Sequence, residues 1–116
     1  MKVLGINGSH RAGKGTAALL QAALDGAAEQ ASALEVPVSC ELVELSKLDI
    51  GFCVGCNRCL AQTSCTLEDD MNDLYEKLRD ADVVLLASPD YFGTVSARMK
   101  NFMDRTAPPS IWWRTC

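Results

Sequence analysis

The sequence predicts an α/β fold, with an open, doubly wound parallel sheet between helices in a three-layer αβα arrangement. Three observations predict it. Short apolar segments alternate with longer segments of helical periodicity three times along the 116 residues. No tight hairpin turn joins consecutive apolar segments, so the strands run parallel through right-handed crossovers. A glycine-rich turn also separates the first strand from the first helix, which is typical of anion-binding sheets of this class.

The first βα unit starts the chain. Residues 2–7 form a short apolar strand, and a helix is predicted over residues 16–33. The apolar residues of this helix recur at a spacing that places them on one side. They are Leu19, Leu20, Ala23, Leu24 and Ala27. Pro37 ends the crossover, and residues 38–45 alternate loosely as the second strand.

The second and third helices flank the third strand. Thr66 and the acids at residues 68–70 indicate the start of a second amphipathic helix. Its apolar residues are Met71, Leu74, Tyr75 and Leu78. Residues 82–88 contain an apolar run without alternation, typical of a strand covered on both faces, and we expect it to be the central strand. A third helix is expected to face the core with four apolar residues, which are Val95, Met99, Phe102 and Met103.

The βα pattern stops after the third unit. Three strands make a narrow sheet, and an apolar third strand at its edge is a surface for pairing. We therefore expect a fold truncated after the third βα unit, or one that completes itself by association. The predicted organisation is one incomplete domain at residues 1–106, with a cysteine-rich loop at 53–65, followed by a divergent tail at 107–116.

Composition narrows the class of protein. Hydrophobic residues make up 48% of the chain and charged residues 22%, which is typical of a folded globular domain. The net charge of −4, without a stripe of Lys and Arg, argues against a nucleic-acid partner. No apolar run approaches the roughly 20 residues of a membrane span, and the amino terminus does not resemble a signal peptide. We therefore expect a cytoplasmic protein with no membrane partner.

The loop after the first strand is a candidate phosphate site, because backbone N–H groups and the helix dipole both favour an anion there. One interpretation is a monophosphate loop in which Ser9, Thr16 and backbone amides, including that of Gly15, hold a phosphorylated cofactor and Arg11 adds positive charge. The other is a P-loop of a nucleotide kinase, since the run from Gly8 to Thr16 contains Gly-Lys-Gly-Thr. The third interpretation is a loop that binds no ligand. The kinase needs an arginine-rich lid, and the arginines after this loop are scattered.

The cysteine-rich loop is the most selective feature of the sequence. Six cysteines are present, and four of them follow the pattern C-x2-C-x2-C-x5-C. These four are Cys53, Cys56, Cys59 and Cys65. Three thiolates at this close spacing, with a fourth just before a helix, suit one compact iron-sulfur cluster. A structural zinc ion, and free thiols or a redox disulfide, are the alternatives. Arg58 is expected to offset the negative charge of a cluster.

The loop after the third strand is expected to line the same crevice as the first loop, because ligands bind at the carboxyl ends of parallel strands. Pro89 fixes the conformation of the turn, and Gly93 lets a flat ring approach the backbone. Tyr91 or Phe92 can stack on that ring. The alternative is that the two aromatic rings pack against the third helix. His10, the single histidine, is expected at the surface without a catalytic role.

Three motifs together resemble one family. They are Gly8-Ser9-x-Arg11 with Thr16, Ser88-Pro89-x-Tyr91-Phe92-Gly93, and Ser96-Ala97-x3-Asn101-Phe102-x-Asp104-Arg105. This set resembles the flavodoxin-like NADPH-dependent FMN reductase superfamily. With four cysteines ahead of Asp69-Asp70-Met71, the chain resembles the iron-sulfur flavoproteins within it. The match covers nearly all of residues 1–106, and the fourth and fifth strands of the family are missing after Thr106.

The resemblance implies two cofactors. FMN would have its phosphate held by Ser9, Arg11 and Thr16. Its isoalloxazine ring would lie against Pro89, Tyr91, Phe92 and Gly93. One [4Fe-4S] cluster would be held by the four cysteines of the loop. The resemblance also implies a homo-oligomer and, as the reductant, a redox protein such as ferredoxin or NAD(P)H.

The resemblance implies an FMN-dependent oxidoreductase that transfers electrons and is similar to the NAD(P)H-dependent FMN reductases. No side chain is expected to act as a catalytic acid or base. Three alternatives stay open. They are a cluster-free NAD(P)H-dependent FMN or quinone reductase, a P-loop nucleotide kinase, and a non-catalytic metal-binding fragment.

Overall fold

The computed structural model describes residues 1–108, and the predicted tail lies outside this range from residue 109 onward. Three strands alternate with helices in the predicted order. The strands are β1 (Lys2–Asn7), β2 (Ser39–Glu44) and β3 (Val83–Ala87), and the helices are α1 (Gly15–Ala33), α2 (Arg58–Gln62), α3 (Met71–Asp80) and α4 (Ala97–Asp104). A short 3-10 helix, Leu45–Lys47, follows β2. Within the described residues, no helix is both long enough and apolar enough to cross a bilayer.

The sheet is parallel, with the strand order β2-β1-β3. In its register, Gly5 of β1 lies opposite Leu42 of β2 and Leu85 of β3. Alternate residues of β1 point to opposite faces of the sheet. Leu4 and Ile6 pack with α3 and α4, whereas Val3 packs with α1. Helices therefore cover both faces, and the predicted three-layer arrangement is confirmed.

The expectation that residues 82–88 form the central strand is wrong for the described sheet. β1 lies in the centre, because the first crossover places β2 on one side of it and the second places β3 on the other, so β3 lies at an edge. Leu86 of β3 is 52% exposed as a result. An apolar run indicates that the side chains of a strand are suited to burial. The position of that strand in the sheet depends on which other strands pair with it.

The predicted helix faces are confirmed in part. All four apolar residues predicted for the second helix are buried, as are Met99 and Phe102 of α4. In α1, Leu20 and Leu24 are buried, but Leu19 is 72% exposed and Ala23 is exposed. These two residues line an open groove of about 670 Å³ beside the edge strand β3. Met103 of α4 is also exposed, because it lies one residue round the helix from the buried Phe102.

Candidate functional site

Three loops meet at one edge of the sheet. Because the strands are parallel, the segments that follow β1, β2 and β3 all leave the sheet at its carboxyl edge. The first and third segments are bonded to each other. The Gly8 N–H donates to the Ala87 carbonyl at 2.8 Å, and the Ser96 hydroxyl donates to the Gly8 carbonyl at 2.6 Å. The structure therefore brings together the predicted phosphate loop and the predicted ring-binding loop.

Gly8 is a point of close approach between the first loop and α4. A Cβ atom at this position would lie 2.7 Å from the Cβ atom of Met99. Met99 is itself buried on α4, so it cannot swing away. Only a residue without a side chain allows this packing.

Replacing Gly8 by alanine is expected to destabilise the protein by about 1–3 kcal/mol, because the new methyl group must push α4 away from the loop. Urea denaturation measures the loss. Gly26→Ala is the matched control, since Gly26 lies within α1 and a Cβ there would meet nothing within 4 Å. The control is expected to gain about 0.5–1 kcal/mol from the better helix propensity of alanine. Equal stabilities of the two variants would contradict the close approach.

The four residues predicted to bind phosphate lie in one loop and in the first turn of α1. Ser9 is buried, and its hydroxyl accepts a hydrogen bond from the Arg11 N–H at 3.1 Å. Arg11 and Gly15 are exposed, and Thr16 is half-buried. Because α1 begins at Gly15, unpaired backbone N–H groups lie at this end of the helix. The arrangement suits an anion held by backbone amides with one arginine beside them.

The same loop is held in place by a carboxylate that was not predicted from the sequence. Glu44, the last residue of β2, accepts a hydrogen bond from the Asn7 side-chain amide at 2.7 Å and another from the Gly13 N–H at 3.2 Å. Gly13 has a φ of 68°, a left-handed conformation that glycine adopts without steric cost. An acidic residue at the end of a strand is too common a feature to signal this contact in advance.

The loop after β3 ends in a tight turn that exposes Phe92. Tyr91 and Thr94 exchange backbone hydrogen bonds of 3.0 and 3.3 Å. Between them, Phe92 and Gly93 have φ values of 53° and 77°, as in a type I′ turn. The left-handed conformation is unfavourable for a phenylalanine. The ring of Phe92 is fully exposed, so burial of the ring does not offset this cost. The alternative that Phe92 packs against the third helix is therefore wrong.

Tyr91 stacks on His10. The two rings are parallel within 6°, and their centroids are 5.9 Å apart. The Arg98 Nε atom donates to His10 Nδ1 at 3.2 Å, which leaves the proton of a neutral imidazole on Nε2. His10 is exposed, as predicted, but it joins the first loop to the third. Pro89 is half-buried at the start of the same loop.

All four cysteines of the cysteine-rich loop border one cavity. The cavity has a volume of about 190 Å³, and its other walls include Val54, Leu60, Leu67 and Ala107. Cys53 and Cys56 are exposed, whereas Cys59, on α2, and Cys65 are half-buried, and none of the four is in a disulfide. Within residues 1–108, no group of three or more Cys, His, Asp or Glu side chains is placed to hold a single metal ion.

The thiol of Cys56 has a lowered pKa. The main cause is a hydrogen bond from the Arg58 backbone N–H, with smaller contributions from the Thr66 hydroxyl and the charge of Arg58, while desolvation opposes them. A lowered pKa favours the thiolate, which is the form that binds metal.

The two ends of the cysteine-rich loop are fastened to each other and to α4. Before the loop, the Gly51 N–H donates to Asp69 Oδ2 at 2.9 Å, and the Gly51 carbonyl accepts from Arg105 at 2.8 Å. After the loop, Asp69 forms a two-pronged ion pair with Arg105, at 2.7 and 3.2 Å. The Asn101 side-chain amide also donates to the Ile50 carbonyl at 3.0 Å. We call Gly51, Asp69 and Arg105 the loop clamp.

Burial and pairing shift the pKa values around the loop clamp. Burial by itself would raise the pKa of Asp69, but hydrogen bonds from Arg105 and from the Gly51 and Met71 backbone lower it overall. Burial raises the pKa of Tyr75 to about 12. The Tyr75 hydroxyl donates to the Arg105 carbonyl at 2.7 Å. Asp69 and Arg105 are therefore both charged at neutral pH.

This parallel sheet, with helices on both faces and with a glycine-rich loop and an aromatic turn at its carboxyl edge, defines a flavodoxin-like α/β protein. The sequence profile described as NADPH-dependent FMN reductase matches residues 1–114. The chain belongs to this family.

Several curated proteins are similar over most of this chain. An iron-sulfur flavoprotein of Methanocaldococcus jannaschii is 38% identical over 111 residues, which are 96% of this chain and 54% of that protein. An iron-sulfur flavoprotein of Archaeoglobus fulgidus is 41% identical over 108 residues, covering 93% and 46% of the two chains. An NADPH:quinone oxidoreductase of Arabidopsis thaliana is 30% identical over 113 residues, covering 97% and 53%. The chain spans about half the length of these relatives.

Proposed function

We propose that this chain binds FMN and one [4Fe-4S] cluster, and that it carries electrons as an FMN-dependent oxidoreductase. Family membership supports FMN, and relatives named iron-sulfur flavoproteins support a cluster. The observation that carries the proposal is that four cysteines without a disulfide border one cavity.

The spacing of the four cysteines along the chain favours a cluster over a zinc ion. Tetrahedral Zn–S bonds of about 2.3 Å place the four sulfurs about 3.8 Å apart. In a four-iron cluster each thiolate binds its own iron, so the sulfurs lie farther apart around a larger core. Four closely spaced cysteines that border one cavity suit the second arrangement. Cys53, Cys56, Cys59 and Cys65 would be the ligands.

The proposed flavin site lies between the first and third loops. Ser9, Arg11, Gly15 and Thr16 would hold the phosphate through backbone amides, hydroxyls and one positive charge. On the ring side, Pro89, Tyr91, Phe92 and Gly93 would provide an apolar platform, and the exposed Phe92 would shield one face of the ring from water.

The two cofactors together would supply redox chemistry, since FMN exchanges electrons in pairs or singly and a cluster exchanges them singly. The chain's own groups bind and orient; no described side chain needs to move a proton. We further propose that the reductant is NAD(P)H or a redox protein such as ferredoxin, and that the protein acts as a homo-oligomer.

The test is to purify the protein without oxygen and to quantify flavin, iron, acid-labile sulfide and zinc on one sample. We expect a yellow-brown protein with FMN and with iron and sulfide in equal amounts. A colourless protein, or one that contains only zinc, would contradict the proposal.

A cluster-free NAD(P)H-dependent quinone reductase is the second candidate. The similarity to an NADPH:quinone oxidoreductase favours it. Bound FMN without iron, together with quinone reduction by NADPH, would establish this candidate instead. The family match over residues 1–114 favours a flavin protein over a nucleotide kinase.

Replacing Phe92 by glycine is expected to have opposite effects on stability and on flavin binding. Glycine relieves the left-handed conformation, so the protein without flavin is expected to gain about 1 kcal/mol. Loss of the ring removes the stacking platform, so saturating FMN is expected to raise the melting temperature less than in the wild type. Thermal unfolding with and without FMN measures both effects.

Phe92→Tyr is the control, because it keeps both the ring and the strained backbone. It is expected to match the wild type in both measurements. If Phe92→Gly keeps the full FMN-dependent rise in melting temperature, Phe92 does not contact the flavin.

A further inference from the structure

His10 covers one face of the Tyr91 ring. The two rings are parallel within 6°, and the 5.9 Å between their centroids is usual for an offset aromatic pair. Tyr91 is nevertheless 45% exposed, and its neighbour Phe92 is fully exposed. The exposed part of the Tyr91 ring is therefore available to a second flat ring.

Arg98 fixes the orientation of the imidazole. Its Nε atom donates to His10 Nδ1 at 3.2 Å, and a second nitrogen of the same guanidinium donates to the Leu45 carbonyl at 3.3 Å. Stacking by itself leaves a ring free to turn in its own plane, whereas a hydrogen bond to one ring nitrogen selects one orientation. His10 is therefore held by two contacts, one across the face of its ring and one in the ring plane.

The helix that carries Arg98 is packed against the first loop. The Ser96 hydroxyl accepts a hydrogen bond from the Met99 N–H at 3.1 Å and donates one to the Gly8 carbonyl at 2.6 Å. Met99 is buried at the point where Gly8 approaches α4 most closely. Arg98 therefore reaches His10 from a well-packed support, whereas the aromatic turn that His10 contacts is exposed.

We propose that His10 is a positioning residue of the flavin site: Arg98 holds its imidazole, and the imidazole fixes the Tyr91 ring for contact with the isoalloxazine ring of FMN. The inference rests on the flavin site of the proposed function. Its physical basis is preorganisation, because a ring that is already held in place loses less conformational freedom when the ligand binds. An exposed histidine without a catalytic role thereby contributes to ligand affinity.

The same contacts would have the opposite effect if the imidazole occupied the place of the flavin ring. The stacked pair would then have to separate before FMN could bind, and removal of the imidazole would strengthen binding. The two arrangements differ in the sign of the effect, so one substitution distinguishes them.

The test is a fluorescence titration of FMN into the full chain freed of flavin. His10→Ala removes both the stacked ring and the acceptor, and we expect FMN to bind about threefold to tenfold more weakly. Arg98→Met removes the donor but keeps a long side chain, and we expect a smaller loss of affinity. Combined with His10→Ala, Arg98→Met is expected to cause no further loss, because Arg98 acts through His10. Additive losses in the double variant would contradict this order of contacts.

Proton magnetic resonance of the flavin-free chain measures the positioning separately from binding. The chain has two tyrosines, and the ring protons of Tyr91 are expected to be shifted upfield by the stacked imidazole. His10→Ala is expected to abolish this shift, and Arg98→Met is expected to reduce it. Loss of FMN affinity without a change in the Tyr91 signals would indicate a general structural effect and would overturn the inference.

Lys100→Met is the matched control for Arg98→Met. Lys100 is exposed on the same helix and pairs with Asp104, so this variant removes an equal charge without touching the stacked pair. It is expected to keep the wild-type affinity for FMN and the Tyr91 shift. Unchanged or tighter FMN binding in His10→Ala would overturn the inference. A wild-type chain that binds no FMN but shows the Tyr91 shift would refute the flavin site, and this inference with it.

Discussion

Replacing Cys56 by serine is expected to remove nearly all iron and acid-labile sulfide from the anaerobically purified protein, while FMN stays bound. The Cys56 thiol borders the cavity, and its lowered pKa favours the thiolate. Serine is not deprotonated at neutral pH and is a poor ligand for iron. The flavin is expected to stay because the loops proposed to hold it are bonded to each other through Gly8, Ala87 and Ser96 and do not depend on Cys56. The absorbance spectrum with iron, sulfide and flavin assays measures the result.

Cys40→Ser is the matched control for this variant. Cys40 is also an exposed cysteine, but it lies on β2, and its thiol contacts the Leu24 carbonyl at 3.7 Å. It does not border the cavity of the four cysteines. We expect its iron content to equal that of the wild type. Unchanged iron in Cys56→Ser would refute the assignment of this ligand, and iron loss in both variants would indicate a general effect of losing a thiol.

Replacing Asp69 by alanine is expected to destabilise the protein by about 3–5 kcal/mol, because it leaves the buried Arg105 guanidinium without its counter-charge. Domains of this size are stable by only about 5–15 kcal/mol, so the variant is expected to be partly unfolded at 37 °C. The same change removes the acceptor of the Gly51 and Met71 N–H groups, which opens the cysteine-rich loop. Urea denaturation of the metal-free protein measures the loss.

The same ion pair predicts how stability depends on pH. The pKa of Asp69 is lower in the folded state than its ordinary value of about 3.9. Its stabilising contribution is therefore fully present above that ordinary value and is lost as the pH falls through the folded pKa. The wild type is expected to lose stability below about pH 4, and Asp69→Asn is expected to lose less over the same interval. Asp25→Asn, on the exposed side of α1, is the control and is expected to keep the wild-type pH profile.

The predicted elements were largely correct. The strand at residues 2–7 has the predicted bounds, and α1 begins one residue before the predicted position. The apolar face of α3 is buried as predicted, because one amphipathic period covers the whole helix. The errors lie where burial depends on distant partners. Leu19 and Leu86 are as apolar as Leu20 and Leu85, but they lie on the side where the described sheet ends.

The candidate sites were predictable in outline, because parallel strands bring their following loops to one edge. The shared cavity of the four cysteines agrees with their close spacing along the chain. His10 and Glu44, however, were not predicted as contacts between loops. Neither residue type has a local pattern that signals such a role, and each acts through a partner in another segment.

The residue types and their spacing determined the α/β class, the family and the four clustered cysteines, because periodicity and short motifs are properties of neighbouring residues. Only the tertiary structure decided that β3 lies at an edge of the sheet formed by residues 1–108, that Phe92 is exposed, and that Arg105 is buried against Asp69. The reason is physical. Arg105 and Asp69 are 36 positions apart, and the Ser96 hydroxyl and the Gly8 carbonyl are 88 positions apart, so these contacts exist only once the sheet has aligned its carboxyl edge and α4 has packed against it.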